Sequence, residues 1–381
     1  MIFIIDRMNL LFDLKATQPN ITGKRHGGGK YAEVIFQRMV EKKIKFSCFY
    51  DSSLWLNPKI KSLCDENHIP LYDIKEKSIE TIVEENNIDR LYSALPGKLA
   101  LLRCCEVIGT IHGMRDFETP FDSIFFQYKN SLKEYIKFIL KHCFPDIFHK
   151  WKHRKYVEYY INSPFKLITV SEHSKYALLS YFPELKNKDF KVFYSPNTSS
   201  HEDIVKSTTE KYFMLVSGNR WEKNNLRAIQ AFDNLISNNL ITDVKMKITG
   251  TDGTKFRYKI KNPDCFEFLG YVDDHKLEEL YASAYLFIYP SLNEGFGYPP
   301  LEAMRYKIPV IASPFSSMAE ICSQCVLFFN PYSVEEIMNR MLMMMEEQRH
   351  AEYSQRGYEQ YLKIRKRQDK DLDLLIEYIS K

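Results

Sequence analysis

Two carboxylates separated by seven residues flank a pair of glycines in the segment NEGFGYPPLEAM, Asn293 to Met304. The segment follows the apolar run LFIYPS and leads into a helix. It therefore stands at the carboxyl end of a strand, where open α/β sheets place their ligands. Gly295 and Gly297 leave backbone amides accessible, and Pro299 or Pro300 suits a first helical turn, where a missing N–H costs little. The partial positive charge of that helix start favours an anion. Glu294 in the loop and Glu302 about a turn into the helix only accept hydrogen bonds when ionised, which suits sugar hydroxyls. Amides for phosphate and carboxylates for hydroxyls are the parts of a nucleotide-sugar site.

Other groups have similar placement. VSGNRWEKNNLRAIQAF sets Gly218, Arg220 and Lys223 between a strand and a helix. Fixed cations there would stabilise the negative charge that develops on a departing diphosphate. Gly250 and Thr251 line the same type of edge or make a turn, and Tyr271 and Val272 follow the strand in FLGYVDDHKLEELYASA. Nearer the start, ITGKRHGGGKYAEVIF puts Gly27, Gly28 and Gly29 just before a helix beginning near Lys30, where backbone can approach a phosphate closely. GTIHGMRDFETPFD presents His112, Arg115, Asp116 and Glu118 at another strand end, with Arg115 and Glu118 free to pair with each other. Ser171 reads as the cap of a helix whose first turn holds Glu172, His173 and Ser174.

The string E-G-F-G-x-P-x-L-E-A resembles the E-x7-E motif of glycosyltransferase family 4, retaining enzymes of the GT-B fold. The resemblance implies that Glu294 contacts the donor sugar and Glu302 the nucleotide ribose, with Gly295, Phe296, Gly297 and Tyr298 beside the donor. It assigns the donor diphosphate to Lys223 and, as second ligand, Arg220. The family often has an arginine directly after its glycine, whereas Asn219 intervenes here after Gly218. Tyr271 and Val272 would flank the base, His112 would lie near the reacting sugar, and Gly28 and Gly29 would face the donor across an interdomain cleft. Transfer would proceed with retention, the departing phosphate helping to take the acceptor proton. No obligatory metal or other cofactor is implied, because Lys223, Arg220 and helix termini would carry the diphosphate charge. Two other readings remain open: a non-catalytic nucleotide-sugar-binding protein, and a sugar-nucleotide epimerase on the same fold.

The elements that must position these groups alternate between short apolar runs and helical patterns, the signature of parallel sheets covered by helices. The fold class is α/β, with two Rossmann-like domains. In the first half strands are expected at Ile2 to Ile5, Phe46 to Tyr50, Glu106 to Ile111 and Leu167 to Val170, with a helix from Lys30 to Glu41. In the second they fall at Tyr212 to Val216, Lys245 to Thr249, Phe266 to Leu269, Leu286 to Tyr289 and Val310 to Ala312. Helices are expected there at Asn225 to Ile236, Asp274 to Ser283, Pro299 to Arg305 and Val334 to Glu347. A polar seam from Tyr194 to Thr209 sets the boundary near residue 200. This divides the chain into an acceptor-side domain (1–200) with a helical insertion at about 121–160, a donor domain (201–357), and a terminal helix (358–381) expected to cross back.

The 381 residues exceed what one core usually organises. With 45% hydrophobic residues and no apolar run long enough to span a bilayer, any membrane contact is peripheral. No signal peptide is legible, and eight dispersed cysteines read as reduced thiols, so a cytoplasmic setting is expected. The pair Cys322 and Cys325 reads as core packing, and the D-x-D at Asp371 to Asp373 as solvated surface. A net charge of +4 does not support nucleic-acid binding. Expected partners are a nucleotide-sugar donor and a glycan or polyprenyl-linked acceptor. The insertion repeats lysine at 129, 133, 137 and 141, with Tyr128, Leu132, Ile136 and Phe138 alongside, and continues through Trp151, Lys152, His153, Arg154 and Lys155. Such a surface either lies on anionic lipid at the inner face of a cell membrane or packs onto its own domain.

Overall fold

A computed structural model describes residues 9–19, 27–198 and 210–381. The strand expected at Ile2 to Ile5 and most of the polar seam lie outside the described residues. The chain divides into two compact units: Met1–Gly113, Lys150–Thr198 and Lys366–Lys381 make the first, and Met114–His149 with Ser199–Arg365 the second. The helical insertion thus belongs, as far as His149, to the second unit rather than to the N-terminal domain where it was expected.

The first unit is a parallel sheet of β1 (Leu10–Asp13), β2 (Phe46–Tyr50), β3 (Leu71–Asp73), β4 (Arg90–Ser93), β5 (Glu106–Ile111), β6 (Lys166–Thr169) and β7 (Phe190–Val192). Their order is β3-β2-β1-β4-β5-β6-β7, which reverses direction between β1 and β4. Phe12, Phe36, Phe46 and Tyr92 meet edge-on or tilted in its core. Gly27, Gly28 and Gly29 lie within the helix Gly27–Glu41 and not in a loop ahead of a helix starting at Lys30.

The second unit holds β8 (Tyr212–Leu215), β9 (Lys245–Ile248), β10 (Phe266–Phe268), β11 (Leu286–Tyr289), β12 (Val310–Ala312) and β13 (Leu327–Phe328), also parallel, in the order β10-β9-β8-β11-β12-β13. β8 and β11 are neighbours, which brings the loops after them together. The helix Asn225–Ser237 buries Leu226, Ile229, Phe232 and Leu235 at helical spacing against this sheet. The segment from Met114 joins the same core through Ile124 and Tyr128. Phe125 stacks on Phe138 at 3.8 Å with Trp221 edge-on to both, and Lys129 N–H donates to the Lys255 carbonyl at 2.7 Å.

The last helix, Glu347–Ser380, serves both units in turn, its residues up to Arg365 belonging to the second and those from Lys366 to the first. Asp371, expected as solvated surface, is instead buried and accepts the Tyr194 N–H at 2.9 Å. Its neighbour Asp373 pairs with Lys42 at 3.1 Å.

Candidate functional site

The loop after β8 is tight by construction. Ser217 has φ of 56°, and Gly218 N–H donates to the Thr249 carbonyl at 2.9 Å. A Cβ on Gly218 would stand 2.5 Å from Thr251 Cγ2 and 2.8 Å from Ile248 Cγ2, so only glycine fits. A single turn, Trp221–Lys223, follows, and Asn224 enters the next helix in the left-handed region with its side-chain amide bound to the Pro290 and Pro331 carbonyls. This fixes Lys223 beneath the loop after β11.

Lys223 is 6% exposed, and its ammonium donates to Glu294 Oε1 and, at 2.7 Å, to the Tyr289 hydroxyl. Tyr289 and Ser291 both donate to that same carboxylate oxygen. Burial alone would raise the Glu294 pKa, but the adjacent Lys223 charge and these hydrogen bonds outweigh it and hold the carboxyl below its ordinary value. Burial pulls Lys223 down, with Glu294 opposing, so the two form a desolvated ion pair. The Glu294 N–H donates to Ser316 Oγ at 2.7 Å, and Ser317 Oγ–H donates to the Glu294 and Phe296 carbonyls. Gly297, at φ of 110° with Met318 Sδ 2.9 Å from where a Cβ would be, caps the helix Tyr298–Arg305. That helix carries Glu302, which hydrogen-bonds the buried Tyr281 hydroxyl.

Arg220 lies nearer the surface and donates to Glu222 at 2.8 Å, a carboxylate that Arg115 also reaches at 3.1 Å. Glu118 accepts from Asn293 at 2.9 Å. Arg115 and Glu118 therefore reach the loops after β8 and β11. Tyr271 is exposed, Val272 partly so, and both follow Gly270, which has φ of 62°. The structure thus gathers Gly218, Arg220, Lys223, Glu294, Gly295, Phe296, Gly297, Tyr298 and Glu302 at the carboxyl ends of β8 and β11. Gly28, Gly29 and His112 belong to the first unit.

His112 directly follows β5, with its Nε2 on the Ala94 carbonyl at 3.0 Å, which makes that nitrogen the donor, and its ring edge-on to Tyr31 at 4.7 Å. Ser171 caps the helix Glu172–Tyr181 by accepting the Ser174 N–H at 3.1 Å, as its residue type predicts. Sequence reasoning missed Tyr289, Ser291 and Ser316 around Glu294. It also missed Asp13, whose signal is a carboxylate ending an apolar run. Asp13 lines a cavity of about 630 Å³ with Lys15, Gln18, Glu80 and Lys98, where the sheet order reverses. Burial pushes its carboxyl up to about 6, against hydrogen bonds from Ser93 and Ala16.

An unfolded chain ionises this aspartate near 3.8 and the folded one near 6, so folding takes up a proton between those values and stability falls as pH rises through them. Asp13→Asn is expected to stabilise the protein by about 3 kcal/mol near neutral pH and by almost nothing below about pH 4. Urea denaturation at the two pH values checks this, and an equal gain at both would refute it.

The architecture is that of GT-B glycosyltransferases, two Rossmann-like units each with a parallel sheet. The fold is shared with sucrose-phosphate synthase from Thermosynechococcus elongatus, at 13% identity over 98% of each chain and a TM-score of 0.68. It is shared also with WaaG, a glycosyltransferase involved in lipopolysaccharide biosynthesis, at 14% identity over 96% of this chain and 99% of that one, with a TM-score of 0.64. Residues 197–360 match the model of the family described as glycosyl transferases group 1. Among curated relatives, the chain is 31% identical over 229 residues to the O-antigen chain mannosyltransferase RfbU of Salmonella typhimurium, 58% of this chain and 56% of that one. It is 41% identical over 80 residues to O-antigen chain mannosyltransferase B of Escherichia coli, 21% of each. The chain thus matches about half the length of the first of these relatives and a fifth of the second.

Proposed function

We propose that the protein is a retaining glycosyltransferase that moves a sugar from a nucleotide-diphosphate donor to a glycan or polyprenyl-linked acceptor in surface polysaccharide assembly. The observation that carries the reading is the buried Lys223–Glu294 pair beneath the glycine loop. An ammonium has three N–H donors. Tyr289 and Glu294 take two of those on Lys223, leaving the third for a phosphate oxygen. Arg220 supplies a second cation above it, and the Tyr298–Arg305 helix start adds a partial positive charge. These cations make the reaction independent of an obligatory metal, so transfer should persist in a chelator.

Glu294, kept ionised, accepts from donor sugar hydroxyls, and Glu302 from the ribose, while Tyr271 and Val272 border the base. In the first unit Gly28, Gly29 and His112 are assigned to the reacting sugar. The mannosyltransferase relatives make a mannosyl group the first sugar to test. We place the enzyme in the cytoplasm, with peripheral membrane contact through 129–160.

A thermal-shift panel of nucleotide sugars tests the donor site. One donor is expected to raise the melting temperature of the wild type by a few degrees and to leave Glu302→Ala unmoved. Stabilisation by no nucleotide sugar, or equal stabilisation of the variant, would overturn the site. Release of nucleoside diphosphate only when acceptor is present separates a transferase from an epimerase, which turns over donor alone, and from a binding protein, which releases none.

A further inference from the structure

The helix Leu132–Cys143 has one face too many for the fold. It is started by a complete capping box, Ser131 with Glu134, and three of its residues attach it to the second unit. Phe138 stacks on Phe125, the Tyr135 hydroxyl donates to the Tyr128 carbonyl at 2.7 Å, and His142 turns edge-on to Phe121. With residues spaced at about 100° around the axis, Leu132, Ile136, Ile139 and Leu140 fall within one arc of roughly 100°, centred about 120° round the helix from the three packed residues. Those four side chains are 75%, 51%, 43% and 53% exposed, whereas Phe138 is 6% exposed. Packing onto the domain is therefore accounted for without them.

Beside the apolar arc runs a row of Lys133, Lys137 and Lys141 at four-residue spacing. Ile147 and Trp151, four residues apart on the helix Pro145–Tyr156, are 68% and 51% exposed. Residues 129–155 hold eight Lys and Arg against two acids, a net +6 in a chain of net +4, so the remainder is net −2. Both acids, Glu134 and Asp146, stand in first helical turns, and Glu134 is committed to the capping box. No helix among the described residues is long and apolar enough to cross a membrane.

We infer that the outward arc of Leu132, Ile136, Ile139 and Leu140 inserts into an anionic lipid surface, lying in its plane, with the lysine row on the headgroups. Charge complementarity selects this occupant. An apolar arc alone would equally serve a second copy of the chain, but two copies would set net +6 against net +6. A bilayer carrying acidic headgroups meets both features at once, and long lysine stems let the charges reach the headgroups while the arc is immersed. Tyr128 and Phe138 face inward and take no part, which corrects the face expected from sequence. This deepens the peripheral-membrane part of the proposal above and rests on that part alone.

Co-sedimentation of the full chain with vesicles of phosphatidylglycerol and phosphatidylcholine, against phosphatidylcholine alone, tests the inference. The wild type is expected to pellet with the anionic vesicles only, and less so at high salt. Ile136→Asp with Leu140→Asp, and separately Lys133→Glu with Lys137→Glu, should each reduce the bound fraction about tenfold or more. Both variants should keep the wild-type melting temperature, since the altered side chains are solvent-facing. A wild type that stays in the supernatant, or an Asp variant that pellets as well as the wild type, overturns the inference. So does an Asp variant that changes only the oligomeric state. Donor-induced thermal shifts measured without vesicles keep the two readings apart: shifts without lipid binding sink only this inference, and lipid binding without shifts sinks the donor site.

Discussion

Replacing Lys223 by methionine is expected to reduce sugar transfer by about 10²- to 10³-fold and to lower stability by about 3–5 kcal/mol. Methionine nearly matches the volume of the lysine stem but removes the charge, leaving the Glu294 carboxylate buried without its ion-pair partner and hydrogen-bonded by the Tyr289 and Ser291 hydroxyls. The pH dependence carries the diagnosis. In the wild type, the depressed Glu294 pKa contributes stability that is present above the ordinary value of 4.5 and lost as pH falls through the folded value. Without Lys223 burial becomes the dominant influence, the carboxyl pKa rises, and the variant gains relative stability as the acid neutralises. The gap between the two proteins should narrow towards acid pH. Adding Glu294→Gln to Lys223→Met should recover most of the stability, because no uncompensated charge is left, yet should recover none of the transfer. Urea denaturation and nucleoside diphosphate release, measured on both variants, separate the two roles. Transfer within tenfold of wild type in Lys223→Met would show that this ammonium has no part in the chemistry.

Much of the second unit was legible because its signals are local. Strand, glycine loop, proline and helix start follow one another within NEGFGYPPLEAM, and the helix Asp274–Ser283 has the bounds its spacing predicts. The Lys223–Glu294 pair spans 71 residues and depends on β8 lying beside β11, a register that no local pattern encodes. Tyr289 and Ser291 escaped notice because hydroxyls at strand ends are common and only their convergence on one oxygen is informative. In the first unit β1 and β4 lie at the centre of the sheet but are four residues each. β4 even opens with a buried arginine, whose charge Glu106 and the Tyr378 and Ile379 carbonyls satisfy. Strands β3, β7 and β13 are sheet edges of two or three half-buried residues, too short for alternation to register. The helix Leu132–Cys143 was readable as a helix but not in orientation. It has apolar residues both on the arc that packs and on the arc that does not, and only tertiary contacts distinguish them.

The attachment of that helical segment to the second unit leads to the other large effect. Arg227, in the first turn of the Asn225–Ser237 helix, grips Asp122 with two parallel bonds, Nη1 to Oδ2 at 2.7 Å and Nη2 to Oδ1 at 2.8 Å. Asp122 is buried and also caps the turn Ser123–Gln127, accepting the Ile124 N–H, so it fixes the start of the run that places Phe125 and Tyr128 in the core. The guanidinium is itself held by Asn224 Oδ1 at 2.8 Å and lies 5.3 Å from the Tyr332 ring centroid. Arg227→Ala strands a desolvated carboxylate at a turn that cannot move without withdrawing aromatic side chains from the core, and is expected to cost about 3–5 kcal/mol. Arg227→Lys should rescue little, since an ammonium cannot reproduce the two-pronged geometry. Asp122→Asn with Arg227→Met should cost less than Arg227→Ala alone, because the amide keeps the cap and leaves no buried charge. Urea denaturation followed by tryptophan emission suits the test, as Trp221 is packed against Phe125 and Phe138. A loss below about 1 kcal/mol in Arg227→Ala, the range of an exposed surface pair, would mean that aromatic packing alone holds the segment in the second unit.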